Sequence, residues 1–452
     1  MNASRRIDRH QQQSNCAHLS EQGSNAFFNI LTSSALLDTV ERLSPVHRER
    51  LFPPTQTLSM FLTQCLSQDR SCQNAVNRAV VLGGVNRCST NTSAYVRARA
   101  RLTKNFPQEL AIELARSVSD KVPEYMETHA RPVRLVDGAT LAMPDTEENQ
   151  ERYPQPSFQE PGLGFPQCRL VGLFCLASGV LLDCETGPCV GKGSDEQTGL
   201  RVQLDVLERD DILVGDAFYA TYFLLAELRK RGVDAVFEQN GQRKKSADFR
   251  RGKKLGHKDH VITLSKPRQR PDWLSEQEYD HAPESLEMRE LRVSGKILTT
   301  TFLSGTEMPK TAIKSLYAER WSVELDFRNL KTTLGMDMLR CKTPDMVLTE
   351  IWVYFLAYNI IRLLMSQAAS SHRLLPRQIS FKHTVQLWLH WHHFAEVESD
   401  MSPLFELIAQ KRVGNRPGRV EPRAMKRRPK PFPWLKERRE YARARIRLHG
   451  HP

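Results

Sequence analysis

Two aspartates in this 452-residue chain stand where hard carboxylate oxygens could gather a metal ion. Asp137 closes an apolar run (Val133, Leu135, Val136) and precedes Gly138; Asp216 closes another (Ile212, Leu213, Val214) and follows Gly215. An Asp beside Gly at a strand end serves equally as a turn former or helix cap. Two such acids on adjacent strands can bind a divalent cation, and a third carboxylate from a helix would complete the site. Tyr317, Arg320, Glu324 and Lys331 offer that third acid, because they fall within about 60° of one another on one helix face. An acid flanked by two cations and a tyrosine could hold a metal while its neighbours hold phosphate. The spacing also fits a surface ladder, Arg320–Glu324–Arg328. Glu319 and Asp326 are available too, so spacing alone does not select Glu324.

The elements that must position these residues read as mixed α/β. Strands are expected over 131–143, 167–177 and 179–187, the last two forming a hairpin about Gly179. A helix over 194–209 with Ser194 as N-cap follows, then a strand over 211–218, a helix over 219–232 and a strand over 233–240. One long helix from Pro309 to Leu334, closed by Gly335, would carry Glu324. Between them, residues 241–308 read as a β-rich insertion opening on a basic loop with Lys244, Lys245, Arg250 and Arg251. The N-terminal region is helical in pattern, with apolar periodicity over 56–68 and 71–82 and a break at Gly83–Gly84. The basic segment that follows contains Arg97, Arg99 and Arg101. Two readings fit it: a helix-turn-helix with a basic second member, or a small bundle with one solvated basic helix.

Composition narrows the class. With 40% hydrophobic and 26% charged residues, the chain can bury a sizeable core. Of the formal +13, residues 411–452 carry +12, from 15 Lys or Arg against three acids. The body is therefore nearly neutral, and the Pro-rich tail looks extended and suited to a polyanion. The first residues contain no apolar signal-peptide core. The most apolar run, 351–365, is shorter than a bilayer span and is interrupted by Asn359 and Arg362, which makes it a buried helix rather than a membrane segment. Nine cysteines without a CxxC pair read as structural thiols in a reducing compartment.

The pattern Tyr317-x2-Arg320-x3-Glu324-x6-Lys331 resembles the Y-x2-R-x3-E-x6-K signature of insertion-sequence-4 type DDE transposases. Residues 136–174 and 215–237 are similar to the family's segments bearing its first and second Asp. Residues 71–102 and 412–431 are also similar to family members, so the likeness spans roughly residues 55–435. The resemblance implies an RNase H-like α/β catalytic core over 128–410 with the insertion at 241–308. An N-terminal helical DNA-binding region (1–127) and a basic tail (411–452) would flank it.

It further implies that Asp137, Asp216 and Glu324 bind two Mg²⁺ ions, with Mn²⁺ as a substitute, about 3.5–4 Å apart. The implied activity is cleavage of double-stranded DNA at element ends and joining of the 3′-end to target DNA. Tyr317, Arg320 and Lys331 would hold phosphates. Further DNA contacts would come from Arg97, Arg99, Arg101 and the 243–254 loop. The implied setting is the bacterial cytoplasm, on the nucleoid, as a dimer when two ends are synapsed. One departure is Ala217, where relatives often place Arg after the second Asp. It removes a local cation and leaves a second reading, a weakened or non-catalytic DNA-binding derivative.

Overall fold

The computed structural model describes residues 52–83, 89–120, 131–239 (without 159, 161 and 192), 247–391, 400–414 and 437–449, together with Val40, Arg42 and Leu43. Lys244 and Lys245 lie outside the described residues, as do residues 84–88 at the expected glycine turn.

Four helices open the described chain: α1 (Pro54–Leu66), α2 (Cys72–Gly83), α3 (Ser93–Arg101) and α4 (Asn105–Ser119). Strand β1 (Val133–Ala142), the short α5 (Glu147–Arg152), β2 (Gln167–Cys175) and β3 (Leu181–Pro188) follow. Gly179 turns the β2–β3 hairpin at φ +78°, a backbone conformation that glycine adopts without strain. Next come α6 (Glu196–Val202), β4 (Ile212–Gly215), a 3₁₀ turn (Ala217–Tyr219), α7 (Tyr222–Arg231) and β5 (Asp234–Glu238). Asp195, not Ser194, caps α6, accepting the Thr198 N–H.

The strands β6 (Lys253–Gly256), β7 (Asp259–Ser265), β8 (Ser285–Val293) and β9 (Lys296–Thr300), with α8 (Glu276–His281) between β7 and β8, lie within residues 241–308. They do not form a separate sheet. β9 pairs with β5, so one nine-stranded sheet runs β3-β2-β1-β4-β5-β9-β8-β7-β6. The expected single helix from Pro309 to Leu334 is broken. It comprises α9 (Lys310–Ala318), a turn at Glu319–Arg320, α10 (Trp321–Arg328) and a π-helical turn (Asn329–Thr333). The constant rotation assumed from spacing therefore does not apply from Tyr317 to Lys331, because each irregularity resets the facing.

The longest helix, α11 (Pro344–Ser371), crosses the core; α12 (Phe381–Trp391) and α13 (Ser402–Gln410) pack beside it. By length and composition α11 could span a membrane, but 89% of its most apolar window is buried inside the protein. The two polar residues that interrupt its apolar run, Asn359 and Arg362, have partners. Asn359 takes the Leu181 N–H at 2.9 Å and donates to Ala111 O and Leu181 O, so this buried amide is satisfied. Arg439–His449 forms a last helix, α14, while the Pro-rich stretch 416–434 expected to be extended lies outside the described residues. Arg443, Arg445 and Arg447 are exposed on it.

Candidate active site

Asp137 does not terminate its strand. β1 continues to Ala142 against β2, with Asp137 opposite Gly172. What ends near Asp137 is the parallel pairing with β4, whose last pair is Leu135↔Val214. Asp137 and Asp216 each lie two residues beyond that last pair, near enough for the charge of Asp216 to act on the Asp137 carboxyl. The Gly138 N–H donates to Asp137 Oδ1 at 2.9 Å. Burial pushes the Asp137 carboxyl up to about 6, opposed by that N–H and by Arg320 and reinforced by Glu196 and Asp216. Asp216 caps the 3₁₀ turn, its Oδ1 accepting the Phe218 N–H at 2.8 Å.

Glu324 reaches this pair through Arg320. The guanidinium lies 2.8 Å from Glu324 Oε1 and 4.0 Å from Asp137 Oδ2, with the Arg320, Asp137 and Glu324 side chains 19%, 19% and 34% exposed. Arg320 itself stands in the turn between α9 and α10. The i,i+4 pair of the ladder reading is thus present, and it faces an aspartate. The Tyr317 hydroxyl donates to Glu238 Oε2, at the end of β5, at 3.1 Å. Burial and this carboxylate raise the tyrosine well above its ordinary range. Lys331 lies half-buried in the π-helical turn and has no ion pair among the described residues.

The donor set fits a hard divalent cation: one acid on β1 and one just past the end of the abutting β4, a third on a neighbouring helix, and a largely buried Asp137 short of compensating charge. Among the described residues, no three His, Cys, Asp or Glu side chains are already gathered tightly enough to hold an ion. Glu324 is turned to Arg320.

One acid here was not singled out by spacing. Glu196 in the first turn of α6 pairs with Arg169 at 3.0 Å and accepts from the Tyr219 hydroxyl. Its only sequence signal is a Ser-Asp-Glu start to a helix, which ordinarily marks nothing but a cap.

The basic residues proposed for DNA divide. Arg97 and Arg101 are exposed on α3. Arg99 is not a surface cation: it is 8% exposed, stacks over Phe61 at 3.8 Å, and donates to Cys72 Sγ and Cys341 Sγ at 3.0 and 3.1 Å. It fastens the N-terminal helices to the segment before α11, so that residue is withdrawn from the DNA-contact set. Arg250 and Arg251 are exposed, both beside Asp248 at 2.9 and 3.6 Å. The seven cysteines described are free thiols.

The family described as "Transposase DDE domain" matches residues 128–360, more than half of the chain. Transposase InsG for insertion sequence element IS4 of Escherichia coli (strain K12) is 25% identical over 404 residues, covering 85% of this chain and 88% of that protein. A shorter stretch is 34% identical to the transposase for insertion sequence element IS421 of Escherichia coli over 64 residues, 14% of this chain and 17% of that one. Among solved structures, the piggyBac transposase synaptic complex with hairpin DNA aligns over 88% of this chain and 87% of its own, at 10% identity and a TM-score of 0.43. The chain belongs to the DDE transposase domain family, of the insertion-sequence-4 type.

Proposed function

We propose that this transposase cuts and joins DNA at the ends of an insertion sequence, with Asp137, Asp216 and Glu324 as the catalytic carboxylates of an RNase H-like core. The observation that supports the reading is that β1 and β4 pair up to Leu135↔Val214, two residues before Asp137 and Asp216, while Arg320 lies beside both Asp137 and Glu324. An antiparallel β3-β2-β1 half joined to a parallel β1-β4-β5 half supports the RNase H-like assignment.

Mg²⁺ held by the three carboxylates would supply Lewis-acid activation of a water or 3′-hydroxyl and stabilise the leaving oxygen at phosphorus. The chain's own part is positioning and charge. The Gly138 N–H orients Asp137, and the Phe218 N–H orients Asp216. Arg320 lies within reach of both Asp137 and Glu324, so a phosphate entering the site meets a guanidinium already held there. Lys331 and the Tyr317 hydroxyl extend that phosphate contact. The nucleophile comes from DNA or water, so no covalent protein–DNA intermediate forms.

Residues 1–127 would recognise the element end, with Arg97 and Arg101 on the exposed side of α3. Residues 128–410 carry the chemistry, and 411–452 adds sequence-independent attraction to phosphate. Arg250 and Arg251, and with them Lys244 and Lys245, would touch DNA beside the insertion. Two ends brought together imply a dimer on DNA.

The test is a donor plasmid carrying the DNA that flanks this reading frame, where short inverted repeats would mark the ends. With Mg²⁺ or Mn²⁺ the protein should release the ends and give strand-transfer products. Cutting without joining would reduce the reading to a nuclease, and end binding without cutting would favour the non-catalytic derivative.

A further inference from the structure

The β1–β4 ladder stops at Leu135↔Val214, two residues short of the aspartates. No backbone pairing between these strands therefore holds Asp137 against Asp216. A separate tie spans the gap. One carboxylate oxygen of Glu196 accepts from Arg169 Nη1 on β2 at 3.0 Å, and the other accepts from the buried Tyr219 hydroxyl at 3.4 Å. Tyr219 belongs to the 3₁₀ turn that Asp216 caps. On its other side the Glu196 carboxyl lies against Gly138, where a Cβ would come within 2.2 Å of Glu196 Cδ. Only glycine after Asp137 leaves that space open.

The next residue repeats the grip. Gln197 Nε2 donates to Phe218 O at 2.6 Å, and its Oε1 accepts from Thr221 Oγ1 at 3.1 Å. α6 is itself seated on β2, for Gln203 Nε2 donates to Val171 O at 2.9 Å.

We propose that Glu196 is a positioning residue for transposition: it fixes the separation of Asp137 and Asp216 by bridging the Tyr219 turn to Arg169 and to the backbone at Gly138. This rests on the reading of Asp137 and Asp216 as metal ligands. Partners just outside a metal site orient its ligands, and their loss typically weakens metal binding about 10–100-fold.

Mn²⁺ affinity, measured by electron paramagnetic resonance on the full chain well below its melting temperature, reads this without turnover. Glu196→Ala should bind Mn²⁺ about ten-fold more weakly or worse. Glu196→Gln, whose Oε1 can still accept from Arg169 while its Nε2 donates to the Tyr219 oxygen, should recover most of the loss. Tyr219→Phe should lose part of the affinity, and the Glu196→Ala/Tyr219→Phe double variant should be no weaker than Glu196→Ala, because both break one bridge. Wild-type affinity in Glu196→Ala would overturn the inference. Additive losses in the double variant, or Glu196→Gln as weak as Glu196→Ala, would do the same. Asp137→Ala run alongside separates the two readings. If it binds Mn²⁺ like the wild type, the metal assignment itself fails; if it loses Mn²⁺ while Glu196→Ala does not, only the bridge is refuted.

Discussion

Helix α10 carries two acids two residues apart, and their surroundings are opposite. Asp326 is fully buried between Arg362 at 2.5 Å and Arg377 at 2.9 Å, and takes the Tyr358 hydroxyl at 3.1 Å. Those partners are fixed in turn: Arg377 donates to Leu176 O and Cys175 O, and the Tyr358 oxygen accepts from Arg362 Nε at 2.9 Å. Glu324, roughly 200° around the helix, has a side chain 34% exposed and, among the described residues, one paired cation, Arg320. A buried carboxylate must be neutralised permanently, because its charge has no other solvent. A half-open one can exchange its partner for a metal or a phosphate. Under the proposed function, the two acids thus separate holding the helix from doing chemistry on it.

That separation can be broken by experiment. The largest effect should come from Glu324→Gln, expected to abolish Mg²⁺-dependent strand cleavage while unfolding stability stays within about 1 kcal/mol of the wild type, as for a partly exposed pair. Asp326→Ala should do the reverse, costing about 3–5 kcal/mol in denaturant unfolding because two buried guanidiniums lose their counter-charge. If Glu324→Gln proved the more destabilised of the two, the contrast between them would collapse.

Smaller effects test the outer contacts. Removing residues 415–452 takes away thirteen Lys or Arg and three acids while keeping the bridge between Ile379 and Arg412. Non-specific DNA affinity should fall sharply at low salt; unchanged affinity would remove the tail from DNA capture. Lys331→Ala should weaken end binding modestly and lower the slope of log affinity against log salt by about one. An unchanged slope would take Lys331 out of the phosphate contact.

The same contrast explains what could be read from sequence. Asp137 and Asp216 stand out as candidates in the sequence because each follows an apolar run and adjoins a glycine, a pattern visible without knowledge of packing. Glu324 was selected over Glu319 and Asp326 by family resemblance alone. Burial is what distinguishes it from Asp326, and burial depends on Arg362 and Arg377, far along the chain. Arg99 was misread for the same reason. Alternating Arg and Ala looks like a solvated face until Phe61, Cys72 and Cys341 close over one arginine. The break at Glu319–Arg320 contains neither Gly nor Pro, so the sequence held no signal for it. Glu196 stayed hidden because its meaning comes from Gly138 and Tyr219, each reached only through the fold. The insertion was legible as β-rich, but its continuity with the main sheet was not, since the pairing of β5 with β9 joins residues about sixty apart.

The most direct test of the proposed carboxylates compares cleavage of element-end DNA by the wild type and by Asp216→Ala in Mg²⁺, with DNA binding measured on the same samples. The wild type should bind and cut, and Asp216→Ala should bind with similar affinity and leave the DNA intact. Full cleavage by Asp216→Ala would contradict the proposed site.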